Sequence, residues 1–134
     1  MIVVDTNIIA YLFINGKHSS SAERIFKKDP RWTAPLLWRS ELRSVLVKCL
    51  RKGFFDLDEA IRISHEAEFL MSGGEYSVSS PDVLSLAAGS RISAYDAEFV
   101  ALARKLGVPL VTLDKSILGA FSNTALSPEK FLSR

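Results

Sequence analysis

Apolar and polar positions along the 134-residue chain fall into two patterns, short β-branched runs and longer stripes with a 3.6-residue period. Ile2, Val3 and Val4 form the first run. With no polar residue among them, they suit a strand buried on both faces. Asp5 ends the run, and from Asn7 to Ile14 apolar positions return with helical length and period. Ser20 and Glu23, three apart, read as a capping box for a short helix carrying Ala22, Ile25 and Phe26 and stopping near Asp29-Pro30. Trp32-Thr33-Ala34, closed by Pro35, reads as a second strand. Over Leu36 to Lys52, the positions of Leu42, Val45, Leu46, Cys49 and Leu50 follow the helical period, with Gly53 as the stop.

Asp56 and Glu59 open a further helix containing Ala60, Ile61, Ile63, Ala67, Phe69 and Leu70, which Gly73-Gly74 breaks. Tyr76-Ser77-Val78 is a weak strand, and Ser80-Pro81 reads as a cap followed by proline at the first helical position of a helix through Val83 to Arg91. A longer helix is expected from Ala94 to Leu106, closed by Gly107. Leu110-Val111-Thr112-Leu113 is the clearest strand after the first. Asp114 ends it, and Lys115 to Ala120 start one more helical turn. Strands separated by helical stretches imply a mostly parallel sheet covered on both faces, an α/β sandwich in one domain.

Composition narrows the chemistry. With 48% apolar and 24% charged residues, the chain has the make-up of a globular protein. No apolar run approaches the roughly 18–20 residues of a membrane span, and no signal-like leader is visible. The single Cys49 allows neither an intrachain disulfide nor a Cys-rich zinc site and sits among apolar neighbours, so a small buried hydrophobe in a reducing cytoplasm is expected. The net charge of +2 hides an asymmetry. Lys17 to Lys52 holds ten basic residues against three acids, whereas Gly53 to Glu98 holds nine acids against two arginines. A basic first half suits a polyanion lying across one side, or simply solvated helix faces.

Asp5 and Asp114 each follow a strand, so a parallel sheet brings both to its carboxyl edge, where ligands bind in open α/β folds. Asp96 stands in the first turn of a helix that starts at the same edge, and Glu41 sits beside the apolar stripe of a cation-rich helix. Each has an ordinary structural role available: helix cap, macrodipole partner or solvated ion pair. Crowded together, carboxylates repel and call for a cation, and oxygen donors without a His or Cys cluster select Mg²⁺ or Mn²⁺ over zinc. His18 and His65 lack partners at ligand spacing and read as surface residues. A carboxylate-held divalent ion beside a basic surface points to hydrolysis of a nucleic-acid backbone. No Walker loop, dinucleotide fingerprint or nucleophile elbow offers another chemistry.

The opening VVDTNIIAYL, the helix containing Glu41 and the segment SAYDAEFVALARKLGVPLVTLD make the chain resemble a PIN-domain ribonuclease, and within that family the toxin of a VapBC-type toxin–antitoxin pair. The resemblance spans essentially the whole chain and implies a single PIN-like domain over residues 1–134, a three-layer α/β/α sandwich with a mostly parallel central sheet. Matched residue by residue, the family's acidic quartet falls on Asp5, Glu41, Asp96 and Asp114. The resemblance implies that Asp5, Asp96 and Asp114 hold Mg²⁺ or Mn²⁺, that Glu41 ligates or positions water, and that Thr6, Asn7 and Thr112 support the site. Ser116 and Ser44 stand where many relatives carry an acid and an asparagine, which weakens the case for a second tightly held metal and for firm support of Glu41.

The same resemblance implies an RNA substrate, a cognate antitoxin protein and a homodimer. Trp32, Leu36, Leu37 and Trp38 are candidates either for those contacts or for the core. Arg39 and Arg43, one turn apart around Glu41, are candidates for phosphate contacts or for intrahelical pairing. The rival from another class is a non-catalytic PIN-like module that binds RNA or protein. A phosphoacceptor domain would need a second acid beside Asp5, and an aspartyl phosphatase an Asp where Asn7 stands. Metal-dependent hydrolysis of small phosphates stays open.

Overall fold

The computed structural model describes residues 1–134. In chain order the elements are β1 (Ile2–Val4), α1 (Thr6–Phe13), α2 (Ser19–Lys28), β2 (Trp32–Pro35), α3 (Leu37–Arg51), α4 (Leu57–Met71) and β3 (Glu75–Tyr76). Then follow α5 (Ser80–Ala88), α6 (Ala94–Leu106), β4 (Leu110–Val111), α7 (Lys115–Ala120), β5 (Ala125–Leu126) and α8 (Pro128–Leu132). Five strands form one sheet in the order β3-β2-β1-β4-β5, and every neighbouring pair is parallel. The expected α/β sandwich is thus correct, with a sheet that is wholly rather than mostly parallel.

Strand order explains where a site can form. The chain steps outward from β1 through β2 to β3, then crosses back to lay β4 on the other side of β1. Right-handed crossovers put the helices of those two halves on opposite faces of the sheet, and α6 indeed packs on β1, β2 and β4 while α3 and α4 pack on β2. The connections diverge between β1 and β4, opening a crevice at the carboxyl ends of those two strands. Val3 lies opposite both Thr33 of β2 and Leu110 of β4, which fixes the register of the central three strands.

The core is built from the apolar run of β1, all of it buried, together with Ile8 and Ile9 of α1, Trp38 and Leu42 of α3, and Phe99, Val100 and Leu102 of α6. Helix ends follow local chemistry. Asp56 caps α4 by accepting from the Glu59 N–H, Ser93 caps α6 by accepting from the Asp96 N–H, and Gly107 closes α6 at φ 67°, a left-handed conformation that favours glycine.

Several expected boundaries shift. The Ser20–Glu23 capping box does not form: α2 starts at Ser19, and the Ser19 hydroxyl instead bridges the preceding turn, accepting from Gly16 N and donating to Ile14 O. Ser79 rather than Ser80 caps α5, which ends at Ala88 instead of Arg91. The weak strand is Glu75–Tyr76, displaced toward the Gly73-Gly74 turn, and β4 is only Leu110–Val111, the Leu113 N–H donating to Asn7 Oδ1 and not to a neighbouring strand. The strand β5 and helix α8 escape the hydrophobic pattern because both are short. Only Ser127-Pro128, a cap followed by proline in the first turn, signals α8. Cys49 is half-buried, not buried, while His65 is exposed as expected and His18 is half-buried, packing edge-on against Tyr11 at 5.0 Å between ring centres.

Gly74 marks the tightest backbone approach. A Cβ there would lie 2.3 Å from the carbonyl oxygen of Trp32, where β3 meets β2. Gly74→Ala is therefore expected to lower unfolding free energy by about 1–3 kcal/mol through overpacking against backbone that cannot yield. Gly119→Ala, inside α7 with nothing within 4 Å of the new Cβ, should be neutral or slightly stabilising. Urea unfolding midpoints of the two variants check the pair. A Gly74→Ala protein as stable as wild type would contradict this packing.

Candidate active site

At the mouth of the β1/β4 crevice a chain of hydrogen bonds ties three elements together. Asp5 is the N-cap of α1, and its Oδ1 accepts from the Thr6 N–H at 2.7 Å. Its Oδ2 accepts from the Thr112 hydroxyl at 2.7 Å, just past β4, with the Asn7 amide more distant at 3.5 Å. Thr112 Oγ1 in turn accepts from the Asp114 N–H at 3.0 Å, and Asn7 Oδ1 accepts from the Leu113 N–H at 3.3 Å. Asp114 spends one oxygen on capping α7, accepting from the Ile117 N–H at 3.0 Å. On the other side, the Thr6 hydroxyl donates to Glu41 Oε1 at 2.7 Å, reaching from α1 to α3.

The two readings of Asp5 and Asp114, helix cap or site residue, are therefore not alternatives. Capping uses one oxygen of each carboxylate and holds the group at the crevice. Asp96 joins them from the first turn of α6, where Ser93 holds its N–H. Asp5, Glu41, Asp96 and Asp114 line one cavity of about 320 Å³ with Thr6, Asn7, Ser44, Val45 and Lys48. The fold thus brings all four acids together, along with two of the three expected supporting residues. The third, Thr112, is fully buried just beneath.

Charge crowding sets the electrostatics. Burial pushes Asp5 from 3.8 up to about 6, against the pull of the Thr112 and Thr6 hydrogen bonds, and the charges of Glu41 and Asp96 raise it further. Glu41 is raised by burial and then by Asp96 and Glu98, despite its bond from Thr6. Asp96 is raised by burial and by Asp114. None of the four is ion-paired, since every Lys, Arg or N-terminal pair in the protein lies elsewhere. No three His, Cys, Asp or Glu side chains stand as a ready-made metal cage. The donors facing the cavity are nonetheless all oxygen, the set that suits a hard divalent cation.

The basic candidates part company. Arg39 is engaged elsewhere: its Nε and Nη2 grip Glu75 at 2.6 and 2.8 Å, Nη1 reaches Glu68 at 3.3 Å, and Trp38 Nε1 donates to the same Glu75. It pins α3 to β3 and α4, which is neither a free phosphate contact nor an intrahelical pair. Arg43 is exposed but does not line the cavity. Trp32 and Trp38 belong to the core, Leu37 packs against it, and of that group only Leu36 is well exposed. Two residues were missed from the sequence. Lys48 lines the cavity, and its spacing seven after Glu41 places both on one helix face, a signal that was available. Glu98 adds its charge to Glu41, and no short spacing rule reveals it.

An all-parallel sheet with four carboxylates gathered at its switch point puts the chain among α/β proteins with an acidic crevice at the strand ends. The chain belongs to the PIN-domain family, whose profile matches residues 2–123, in its VapC-type branch. Ribonuclease VapC3 of Pyrobaculum aerophilum is 32% identical over 123 residues, which cover 90% of this chain and 94% of that protein. Among solved structures, PAE2754 from Pyrobaculum aerophilum superimposes with a TM-score of 0.77 at 22% identity, covering 99% of this chain and 87% of that one. A toxin–antitoxin complex from Klebsiella pneumoniae gives 0.71 at 19% identity, covering 96% of this chain and 98% of that one. FitAcB from Neisseria gonorrhoeae gives 0.72 at 17%, covering 96% and 99%. At those identities the structures establish the shared fold.

Raised carboxylates have a measurable cost. Because the folded value for Asp5 exceeds the unfolded one, its ionisation opposes folding: the cost is absent below pH 3.8, grows as pH climbs to about 6, and stays constant above. Asp5→Asn should therefore make the metal-free protein more stable than wild type at neutral pH, by about 1–2 kcal/mol after the loss of one acceptor, with the advantage vanishing toward pH 4. Urea midpoints measured across that range in a chelator test it. A variant destabilised equally at every pH would contradict the electrostatic reading.

Proposed function

We propose that this protein is a metal-dependent endoribonuclease that hydrolyses RNA phosphodiester bonds as the toxin of a VapBC-type toxin–antitoxin pair. The observation that carries it is the cavity at the β1/β4 switch point, where four carboxylates line one space without a single ion-pair partner. The likeness to VapC3 supports the choice of RNA. Nucleases of this family are generally metal-dependent.

Asp5, Asp96 and Asp114 would hold Mg²⁺ or Mn²⁺. A divalent ion bound there would supply charge to neutralise non-bridging phosphate oxygens and to acidify a water. The chain's own residues do the rest. Thr6 N–H and the Thr112 hydroxyl fix Asp5 from both sides, so its orientation is set before any ligand arrives. Glu41 keeps one oxygen on Thr6, leaving the other to orient the attacking water and receive its proton, a role its raised proton affinity favours. Asn7 and Thr112 hold the loop after β4, and with it Asp114, against α1.

An antitoxin partner is implied by the toxin–antitoxin assembly that shares this fold. Leu36, exposed beside an apolar cleft lined by Tyr76, Val78, Val83 and Leu84, is the one candidate contact residue free to meet it or a second copy in a homodimer. No helix is long and apolar enough to cross a membrane. Residues 1–134 act as one PIN-like domain, and we place it in the cytoplasm, where an RNA substrate and an antitoxin would meet it.

Purified protein freed of any partner should cut a mixed structured RNA pool with Mg²⁺ or Mn²⁺ and not with EDTA. Asp5→Asn and Asp96→Asn should each lose on the order of 100-fold or more, the scale of several kcal/mol of charge stabilisation. Cutting that survives in both variants would sink the assignment. RNA binding without cutting under any metal would favour a non-catalytic binding module. Thr112→Val, which removes the hydroxyl between Asp5 and Asp114, should lose about 10–100-fold while the protein stays folded by circular dichroism.

A further inference from the structure

We propose that Lys48 is the phosphate-binding cation of the crevice, taking a non-bridging oxygen of the RNA backbone beside the bond that is cut. This rests on the ribonuclease reading above. Glu41, Ser44, Val45 and Lys48 follow one another along a single face of α3, and that face forms one wall of the acidic cavity. Lys48 is the only cationic side chain among the lining residues, it is exposed, and it takes part in no ion pair.

The other basic residues of α3 are differently placed. Arg39 is held by Glu75 and Glu68. Arg43 and Arg51 are not among the residues that line the cavity, Arg51 lying one turn beyond Lys48, and Lys52 at the end of the helix sits over the Phe54 ring at 5.9 Å. Complementing the helix dipole would suffice to explain a cation in the last turn of α3, but Arg51 in the same turn already does that. A polyanion approaching four carboxylates is repelled, and one ammonium on the cavity wall gives its backbone a point of attachment that does not compete with the acids. Lysine suits a single oxygen contact, since its ammonium is a point charge and not a bidentate fork.

The test compares wild type, Lys48→Ala, Lys48→Arg and Arg51→Ala on one RNA that the wild type cleaves, over a range of salt. Lys48→Ala should lose about 10-fold in kcat/KM and give a log–log salt slope shallower by about one unit. Lys48→Arg should keep the slope, Arg51→Ala should match wild type, and Mn²⁺ affinity of Lys48→Ala should not fall. A wild-type slope in Lys48→Ala, or an equal loss in Arg51→Ala, would overturn the assignment. If the wild type cuts no RNA, the ribonuclease reading fails separately. Fluorescence anisotropy of a labelled single-stranded RNA with Mn²⁺ then decides: a shallower slope in Lys48→Ala sustains the phosphate contact, and an unchanged one removes it.

Discussion

Asp5 is a carboxylate that the fold takes out of water without giving it a cation. Its place at the end of a strand buried on both faces is dictated by β1, the centre of the sheet, and could be changed only by dismantling the core. Two neutral donors, Thr6 N–H and the Thr112 hydroxyl, hold it, and three further acids stand around the same cavity. Neutral hydrogen bonds do not repay such a desolvation in full, so proton affinity rises until a proton or a metal ion supplies the missing charge. Stability is given up at this point of the structure, and the proposed metal site would recover it on binding a cation.

From that constraint much of the surrounding structure follows. The strand order 3-2-1-4-5 separates the helices at the junction of β1 and β4, and the same separation frees the space the acids share. Helix starts converge there, with α1 and α7 capped by Asp5 and Asp114, and α6 presenting Asp96 in its first turn. Capping and ligand chemistry therefore coincide, because a carboxylate that accepts from a helix N-terminus with one oxygen is held rigidly with the other toward solvent or a neighbour. The Thr6 and Thr112 hydroxyls link the acids in series, so α1, α3 and the loop after β4 are positioned as a unit.

Much of this was legible in the sequence, for physical reasons. The β1 run, the periodic stripes of α3 and α4, and the Gly107 stop of α6 are strong local signals, and they sufficed to place Asp5, Asp96 and Asp114 at one edge; the Ser93 cap of α6 emerged only in the structure. Glu41 needed the family resemblance, because inside a cation-rich helix its pattern is that of a solvated residue. The Ser20–Glu23 box misled, since the Ser19 hydroxyl found partners in the preceding turn. Arg39 looked free for the same kind of reason: its partner Glu75 is distant in sequence and becomes a neighbour only when β3 joins the sheet. Lys48 was legible from helix periodicity, since seven residues after Glu41 is two turns along the same face of α3.

On the function we propose, a divalent cation is the missing charge of this acidic crevice. Calorimetric titration of Mn²⁺ into the purified protein near pH 6, repeated in buffers of different ionisation enthalpy, measures binding and proton release together. Saturable binding that releases protons, with release diminished in Asp5→Asn and binding lost in Asp96→Asn, is the predicted result. Absence of binding, or binding indifferent to both substitutions, would contradict it.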